Sequence, residues 1–194
     1  MIQIDTVRRP GEDKENFDRL HELMRGLFPN VFAVCKVWEL ESSLLIRWTG
    51  RARRALVLMS HQDVAPAGGV WRYPPFSGTI ADGKLWGRGT MDDKGPAIAT
   101  LYAMKALKDE GFMPKRQIKF IVGCNEETGW ACLKHYEEVA KMPEEGFSPD
   151  ASFPAIYAEK GIVHCKSYYP LNKDSFVSLH AGTAANMVCA SATA

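Results

Sequence analysis

Two short segments that are apolar on both faces restrict most strongly what this chain can fold into. Residues 55–60 read ALVLMS, and residues 117–123 read QIKFIVG. Apolar runs of this length are typical of strands buried in the middle of a sheet. Between them, residues 96–110 carry apolar side chains at helical spacing. The order strand, helix, strand predicts an α/β fold with helices covering both faces of the sheet.

The flanking sequence extends this unit. Apolar residues at helical spacing predict an amphipathic helix over 12–28, which Pro29 ends. Strands are expected near 31–40 and 43–48, and a further helix over 128–140. Residues 64–90 are rich in glycine and proline, and a loop of this length is usually functional. Residues 161–169 and 174–180 resemble strands with no helix between them, so we expect one domain over 1–162 and another to begin at 163.

Composition excludes several classes of protein. With 194 residues, 46% apolar residues and a net charge of +1, the chain resembles an ordinary globular protein. The basic residues are scattered along the sequence, which gives no reason to expect nucleic acid as a partner. Neither a transmembrane run nor a secretory signal is visible, so no membrane association is expected. Five cysteines without C-x-x-C spacing favour a reducing cytoplasm over a disulfide framework or a cysteine zinc site.

Acidic and histidine residues cluster where predicted strands end or helices begin. His61 and Asp63 follow the first buried strand, Asp92 and Asp93 precede the middle helix, and Glu126 and Glu127 follow the second strand, with Asp150 as a fourth candidate position. Each motif alone is more often a turn, a helix cap or a solvated helix start. Together they occupy the edge of an α/β sheet where sites form. Imidazole with carboxylate oxygens suits Zn²⁺ or Mn²⁺, so the sequence predicts a metal site.

Other catalytic motifs are absent from the sequence. There is no Gly-x-Ser-x-Gly elbow and no Gly-Lys-Ser/Thr phosphate loop, so serine hydrolase and nucleotide hydrolase hypotheses lack support. Gly87-Arg-Gly89 is too short for a dinucleotide fingerprint. The cysteines have no neighbouring histidine along the chain that would suggest a thiol nucleophile, and core packing is the role expected of them.

Four blocks of sequence resemble the metal-dependent aminoacylase, carboxypeptidase and dipeptidase family. They are 60–66 (SHQDVAP), 71–76 (WRYPPF), 82–96 (DGKLWGRGTMDDKGP) and 125–129 (NEETG). Residues 120–130, 147–154 and 159–161 are most similar to its bacterial PepV-type dipeptidase branch. The resemblance implies a zinc-exopeptidase-like catalytic domain, a three-layer α/β sheet. Residues 163–194 would then be the start of an inserted lid domain.

The resemblance also implies a role for each clustered residue. His61 and Asp150 would bind one of two divalent ions, and Glu127 would bind the other. Asp92 would bridge both ions and be followed by a cis peptide, Asp63 would orient His61, and Glu126 would be the general base. The ions would be Zn²⁺, with Mn²⁺ or Co²⁺ as alternatives. A metal-bridged water would cleave the amide bond of a dipeptide or an N-acyl amino acid.

The sequence departs from the family pattern in ways that leave alternatives open. Family members are about twice as long, and their last metal-binding histidine has no counterpart here. The tail resembles the PepV-type lid, where Asn186 matches a substrate-contacting residue. Alternatively, His180 matches a histidine that stabilises the oxyanion elsewhere in the family. Residues 43–50 resemble carboxypeptidase S, which implies a carboxypeptidase specificity, and a catalytically inactive truncated fragment is a further hypothesis.

Overall fold

The computed structural model describes residues 1–9, 14–150, 152, 154–161, 163 and 165, and the backbone of 180–181 and 192–193. The chain divides into two compact units, Met1–Ala65 with Arg72–Ala151 and Pro66–Trp71 with Ser152–Ala194. All the predicted site residues except His180 and Asn186 lie in the first unit. Asn186, the side chain of His180 and most of the two strands predicted after residue 160 lie outside the described residues. The domain boundary at 162 and the lid therefore stay predictions.

The described part of the first unit contains four α-helices and seven strands. The helices are α1 (Lys14–Leu27), α2 (Pro29–Val34), α3 (Lys94–Asp109) and α4 (Ala131–Val139). The strands are β1 (Cys35–Leu40), β2 (Ser43–Trp48), β3 (Ala55–His61), β4 (Thr79–Ala81), β5 (Lys84–Trp86), β6 (Gln117–Gly123) and β7 (Glu145–Phe147). In the second unit, β8 (His180–Ala181) pairs with β9 (Ala192–Thr193) in antiparallel orientation.

Five of these strands form one mixed sheet in the order β1-β2-β6-β3-β7. Strand β2 is antiparallel to both β1 and β6. Strand β3 lies between β6 and β7 and is parallel to both. The carboxyl ends of β6, β3 and β7 therefore lie along one edge of the sheet, as expected for strands joined through helical crossovers.

Helices cover both faces of the sheet, as the sequence predicts. Alternate residues of a strand point to opposite faces, and β6 shows this directly. Phe120 and Val122 belong to a large core that includes side chains of α1, α2 and α3. Ile121 instead packs in a smaller core with Val57 and with Tyr136 of α4. The α/β class with covered faces is confirmed.

Two local predictions differ from the structure. The predicted strand over 31–40 is wrong in its first half, because α2 occupies Pro29–Val34 and only Cys35–Leu40 is extended. Proline fits the first turn of a helix, and Val31 is buried in the large core, so packing favours the helix over the β-branched propensity. The long loop 64–90 contains the hairpin β4–β5, which turns at Asp82 and Gly83, both with positive φ.

Folding also gathers basic side chains that are scattered in the sequence. Five of them line one groove of about 440 Å³, namely Arg47, Arg53, Arg54, Lys119 and Lys141. Strand pairing brings these side chains together from distant segments of the sequence. Separately, none of the helices in the described part of the chain has the length and apolar character needed to cross a bilayer.

Candidate metal centre

The predicted site residues converge at the carboxyl edge of the parallel strands. His61 is the last residue of β3. Glu126 and Glu127 follow the end of β6, and Asp150 follows the end of β7. Asp92 lies two residues before Lys94, the first residue of α3. Because β6, β3 and β7 are parallel, the chain brings these side chains together from four separate segments.

The imidazole of His61 is the centre of the cluster. Only 1% of the residue is exposed. Its Nε2 lies 2.8 Å from Asp92 Oδ1, 3.2 Å from Asp150 Oδ2 and 3.9 Å from Glu126 Oε2. Although Nε2 is buried among these oxygens, it forms no hydrogen bond of normal geometry with any described residue. A nitrogen that faces three carboxylates from three segments is placed to share a cation with them.

The other side of the His61 ring is held by Asp63. Nδ1 lies 2.9 Å from the backbone carbonyl oxygen of Asp63 and 3.4 Å from its Oδ1. A proton on Nδ1 is donated to that carbonyl, which leaves the lone pair of Nε2 free for a metal. Asp63 thus contacts the ring mainly through its backbone.

The carboxylate of Asp63 instead orders the loop that follows β6. It is fully buried. Its two oxygens accept hydrogen bonds from the backbone N–H groups of Glu126, at 3.2 Å, and Glu127, at 3.1 Å. The side chain of Glu127 is held in turn, because its Oε1 accepts the N–H of Ala65 at 3.0 Å. One buried carboxylate therefore fixes the backbone position of both glutamates.

Asp93 is part of the cluster, although the sequence alone assigns no role to it. It is fully buried, and its Oδ2 accepts the backbone N–H of His61 at 3.0 Å. Ligand atoms of Asp93, His61 and Asp150 all lie within 4.8 Å of one another. The peptide bond between Asp92 and Asp93 is cis, as the family resemblance implies. The Asp-Asp doublet in the sequence was the available signal, but it does not show which carboxylate points inwards.

The crowded carboxylates shift the protonation of the whole group. Burial lowers the pKa of His61, but the carboxylates of Asp150, Asp63 and Asp92 outweigh this effect and raise it. Burial, followed by repulsion from Asp150, raises the pKa of Asp93 to about 7. Burial is also the largest cause that raises the pKa of Glu126 and of Glu127. The site concentrates negative charge and requires positive charge to balance it.

These residues fit a divalent metal ion. Nε2 of His61 supplies imidazole, and the surrounding groups supply hard carboxylate oxygens, a donor set that suits zinc or manganese. His61, Asp92, Asp93 and Asp150 lie nearest to one another. Burial and then repulsion from Asp92 raise the pKa of Glu127, so Glu127 belongs to the same concentration of negative charge.

The chain is similar to a family of peptidases and to proteins that carry dipeptidase names. The model of Peptidase family M20/M25/M40 matches residues 57–183. The Bacillus subtilis protein named "Putative dipeptidase YtjP" is 39% identical over 149 residues, which are 74% of this chain and 32% of that protein. A Staphylococcus epidermidis protein that also carries a dipeptidase name is 44% identical over 113 residues, 58% of this chain and 24% of that protein.

Solved structures share the fold. A metallo-carboxypeptidase from Sulfolobus solfataricus superposes with a TM-score of 0.64 at 24% identity, covering 77% of this chain and 35% of that one. Human carnosine dipeptidase 1 gives a TM-score of 0.59 at 24% identity, covering 71% of this chain and 33% of that one. At this level of identity the likeness shows the fold alone.

The chain belongs to peptidase family M20/M25/M40, because the family model matches well over half of its residues. It spans between about a quarter and a third of the length of the two curated relatives described above. The family resemblance found in the sequence is thereby confirmed.

Proposed function

We propose that the protein is a metal-dependent hydrolase that cleaves the amide bond of a dipeptide, with two divalent ions at the His61 cluster. The observation that carries this proposal is the buried His61 Nε2, which faces the oxygens of Asp92, Asp150 and Glu126 without a normal hydrogen bond. Family membership and the dipeptidase names of the relatives favour a peptide substrate over other amides. N-acyl amino acids are the alternative substrate class.

The ligands divide into two groups in this proposal. His61 and Asp150 would hold one ion and Glu127 would hold the other, with Asp92 as a further ligand between them. Zinc fits the mixture of imidazole and carboxylate, and manganese or cobalt fits it too. When bound, such ions supply Lewis acidity, which makes a water molecule more acidic and polarises the carbonyl of the scissile bond.

Glu126 is the residue we assign to proton transfer. Its backbone is fixed by Asp63 at 3.2 Å, while its side chain is about one-third exposed and can reach an incoming substrate. A carboxylate in this position takes a proton from the attacking water and delivers it to the nitrogen of the leaving amine. The amide bond breaks, and the products are a free carboxylate and a free amine.

The assignment is tested by replacing Glu126 in the protein as its gene encodes it. We expect Glu126→Gln to lower kcat for dipeptides by about 10²- to 10⁴-fold, the usual contribution of a general base, with metal content unchanged. Glu138→Gln, on the exposed face of α4, is the matched control and should keep both activity and metal. A loss of metal in parallel with activity would show that Glu126 is a ligand.

The substrate class is tested separately. The metal-loaded wild-type protein is assayed with a panel of dipeptides and a panel of N-acyl amino acids of matched side chains. We expect a higher kcat/KM for the dipeptides. A higher kcat/KM for the N-acyl amino acids would show that these are the substrate class. Hydrolysis of neither panel would refute the hydrolase function.

A further inference from the structure

A second group of possible metal ligands lies on helix α1 and strand β1, outside the cluster around His61. Asp18 and His21 are three residues apart on α1, so they share one face of the helix. Glu39 reaches the same place from β1. A ring nitrogen of His21 and carboxylate oxygens of Asp18 and Glu39 all lie within 4.8 Å of one another.

His21 provides an independent sign that this group has a ligand. The residue is only 2% exposed, and its Nδ1 has no hydrogen-bond partner among the described residues. A buried ring nitrogen without a partner costs free energy unless something else binds it. Burial is the largest cause that lowers the pKa of His21, so the ring is held neutral, which is the form that binds metals.

Gln62 orients the His21 ring for metal binding. The Nε2 atom of His21 lies 3.1 Å from the side-chain oxygen of Gln62 and 3.0 Å from its amide nitrogen, which donates to the carbonyl of Ser42 at 2.6 Å. When Nε2 donates its proton to Gln62, Nδ1 carries the lone pair. A hydrogen-bonded partner that fixes the tautomer of a histidine is typical of metal sites.

The two carboxylates are available to a cation. Asp18 pairs with Lys14 and Glu39 pairs with Arg25, and all four side chains are at least 41% exposed. Exposed ion pairs of this kind contribute little and exchange readily. Donors about 2.0–2.2 Å from one tetrahedral zinc ion lie roughly 3.3–3.6 Å apart, so a small rotation of the exposed carboxylates is enough to close the site.

We propose that His21 Nδ1, Asp18 and Glu39 form an additional zinc-binding site that fastens helix α1 to strand β1. One nitrogen and two carboxylate oxygens leave a fourth position for water, as zinc with three protein ligands commonly has. The site does not depend on the proposed hydrolase activity. Because Gln62 stands between His61 and Asp63 in the sequence, zinc at His21 also fixes the segment that carries the metal centre.

The first test counts bound zinc. Wild-type protein and the Asp18→Asn/Glu39→Gln variant are dialysed against buffered free zinc, and the metal is then measured per chain. We expect the variant to retain one zinc fewer. The control Asp109→Asn/Glu138→Gln removes two exposed carboxylates elsewhere, including one in an i,i+4 pair with a lysine, and should match wild type. Equal zinc content in all three proteins would overturn the proposal.

The second test observes His21 directly. Nitrogen-15 NMR of the histidine rings is recorded during zinc titration of the wild-type protein and of the double variant. We expect the Nδ1 resonance of His21 to shift on zinc binding in wild type and to stay in place in the variant. An Nδ1 resonance that zinc leaves unchanged in wild type would refute the site. This measurement is separate from the metal centre, because the resonances of His61 report on that centre independently.

Discussion

Asp63 offers the sharpest test of how the candidate centre is built. Its buried carboxylate accepts the backbone N–H groups of Glu126 and Glu127. Hydrogen bonds to a charged group contribute about 1.5–3 kcal/mol each, and unpaired buried donors are costly. Asp63→Ala removes both bonds and should therefore lower the free energy of unfolding by about 3–6 kcal/mol. Asp63→Asn keeps one acceptor oxygen and should lower it by about 1.5–3 kcal/mol.

The assay is urea unfolding followed by circular dichroism and tryptophan fluorescence. Because a domain is stable by only about 5–15 kcal/mol, the asparagine variant ensures a measurable folded state if the alanine variant unfolds. Asp82→Asn is the matched control, since Asp82 is exposed and its φ of 55° is tolerated by asparagine. The control should stay within about 0.5 kcal/mol of wild type. If Asp63→Asn unfolds at the same urea concentration as wild type, the carboxylate does not organise the glutamate loop.

Three further outcomes are expected from unfolding measurements. Gly95→Ala should destabilise the fold strongly, because its Cβ would lie 2.0 Å from the carbonyl oxygen of Thr90. Gly26→Ala in α1 has open space around it and should stabilise the fold by up to about 1 kcal/mol. The reverse order of stability would contradict the packing described. Phe120→Ala should cost about 3–5 kcal/mol, since the ring is fully buried in the large core, and a loss below 1 kcal/mol would place it outside that core. The folded-state pKa of His21 is lowered, so the unfolded state binds more protons just below pH 6.5 and the free energy of unfolding should fall there as pH decreases. In metal-free protein, His21→Gln should reduce this change of unfolding free energy with pH. An unchanged pH dependence would show that His21 does not cause it.

Much of the first unit could be predicted because its signals are local. Strand 43–48 was predicted to the residue, and β3 and β6 were recognised from short runs of apolar side chains. Helix α2 was missed because the same residues suit a strand, whereas Pro29 in the first turn and burial of Val31 in the large core favour the helix. The hairpin β4–β5 had a readable signal in Asp82-Gly83, since this dipeptide is typical of two-residue turns.

For the candidate site too, some features are visible in the sequence and others only in the structure. His61, Asp92, Glu126, Glu127 and Asp150 were singled out because their residue types and positions at strand ends and helix starts are visible in the sequence. The role of Asp93 was not visible, because adjacent carboxylates differ only in the direction that the folded backbone gives them. The same holds for Asp63, whose backbone carbonyl contacts the histidine ring while its carboxylate accepts two N–H groups.

The sequence by itself determined the α/β class, the family and the set of residues that could bind metal, because apolar periodicity and short motifs are properties of neighbouring residues. Only the tertiary structure decided which of those residues meet. The parallel pairing of β3 with β6 and β7 sets three strand ends side by side and closes the distances around His61. The pairing also creates features with no local signature, such as the contact of His21 with Gln62, because contacts between distant segments depend on the packing of the whole core.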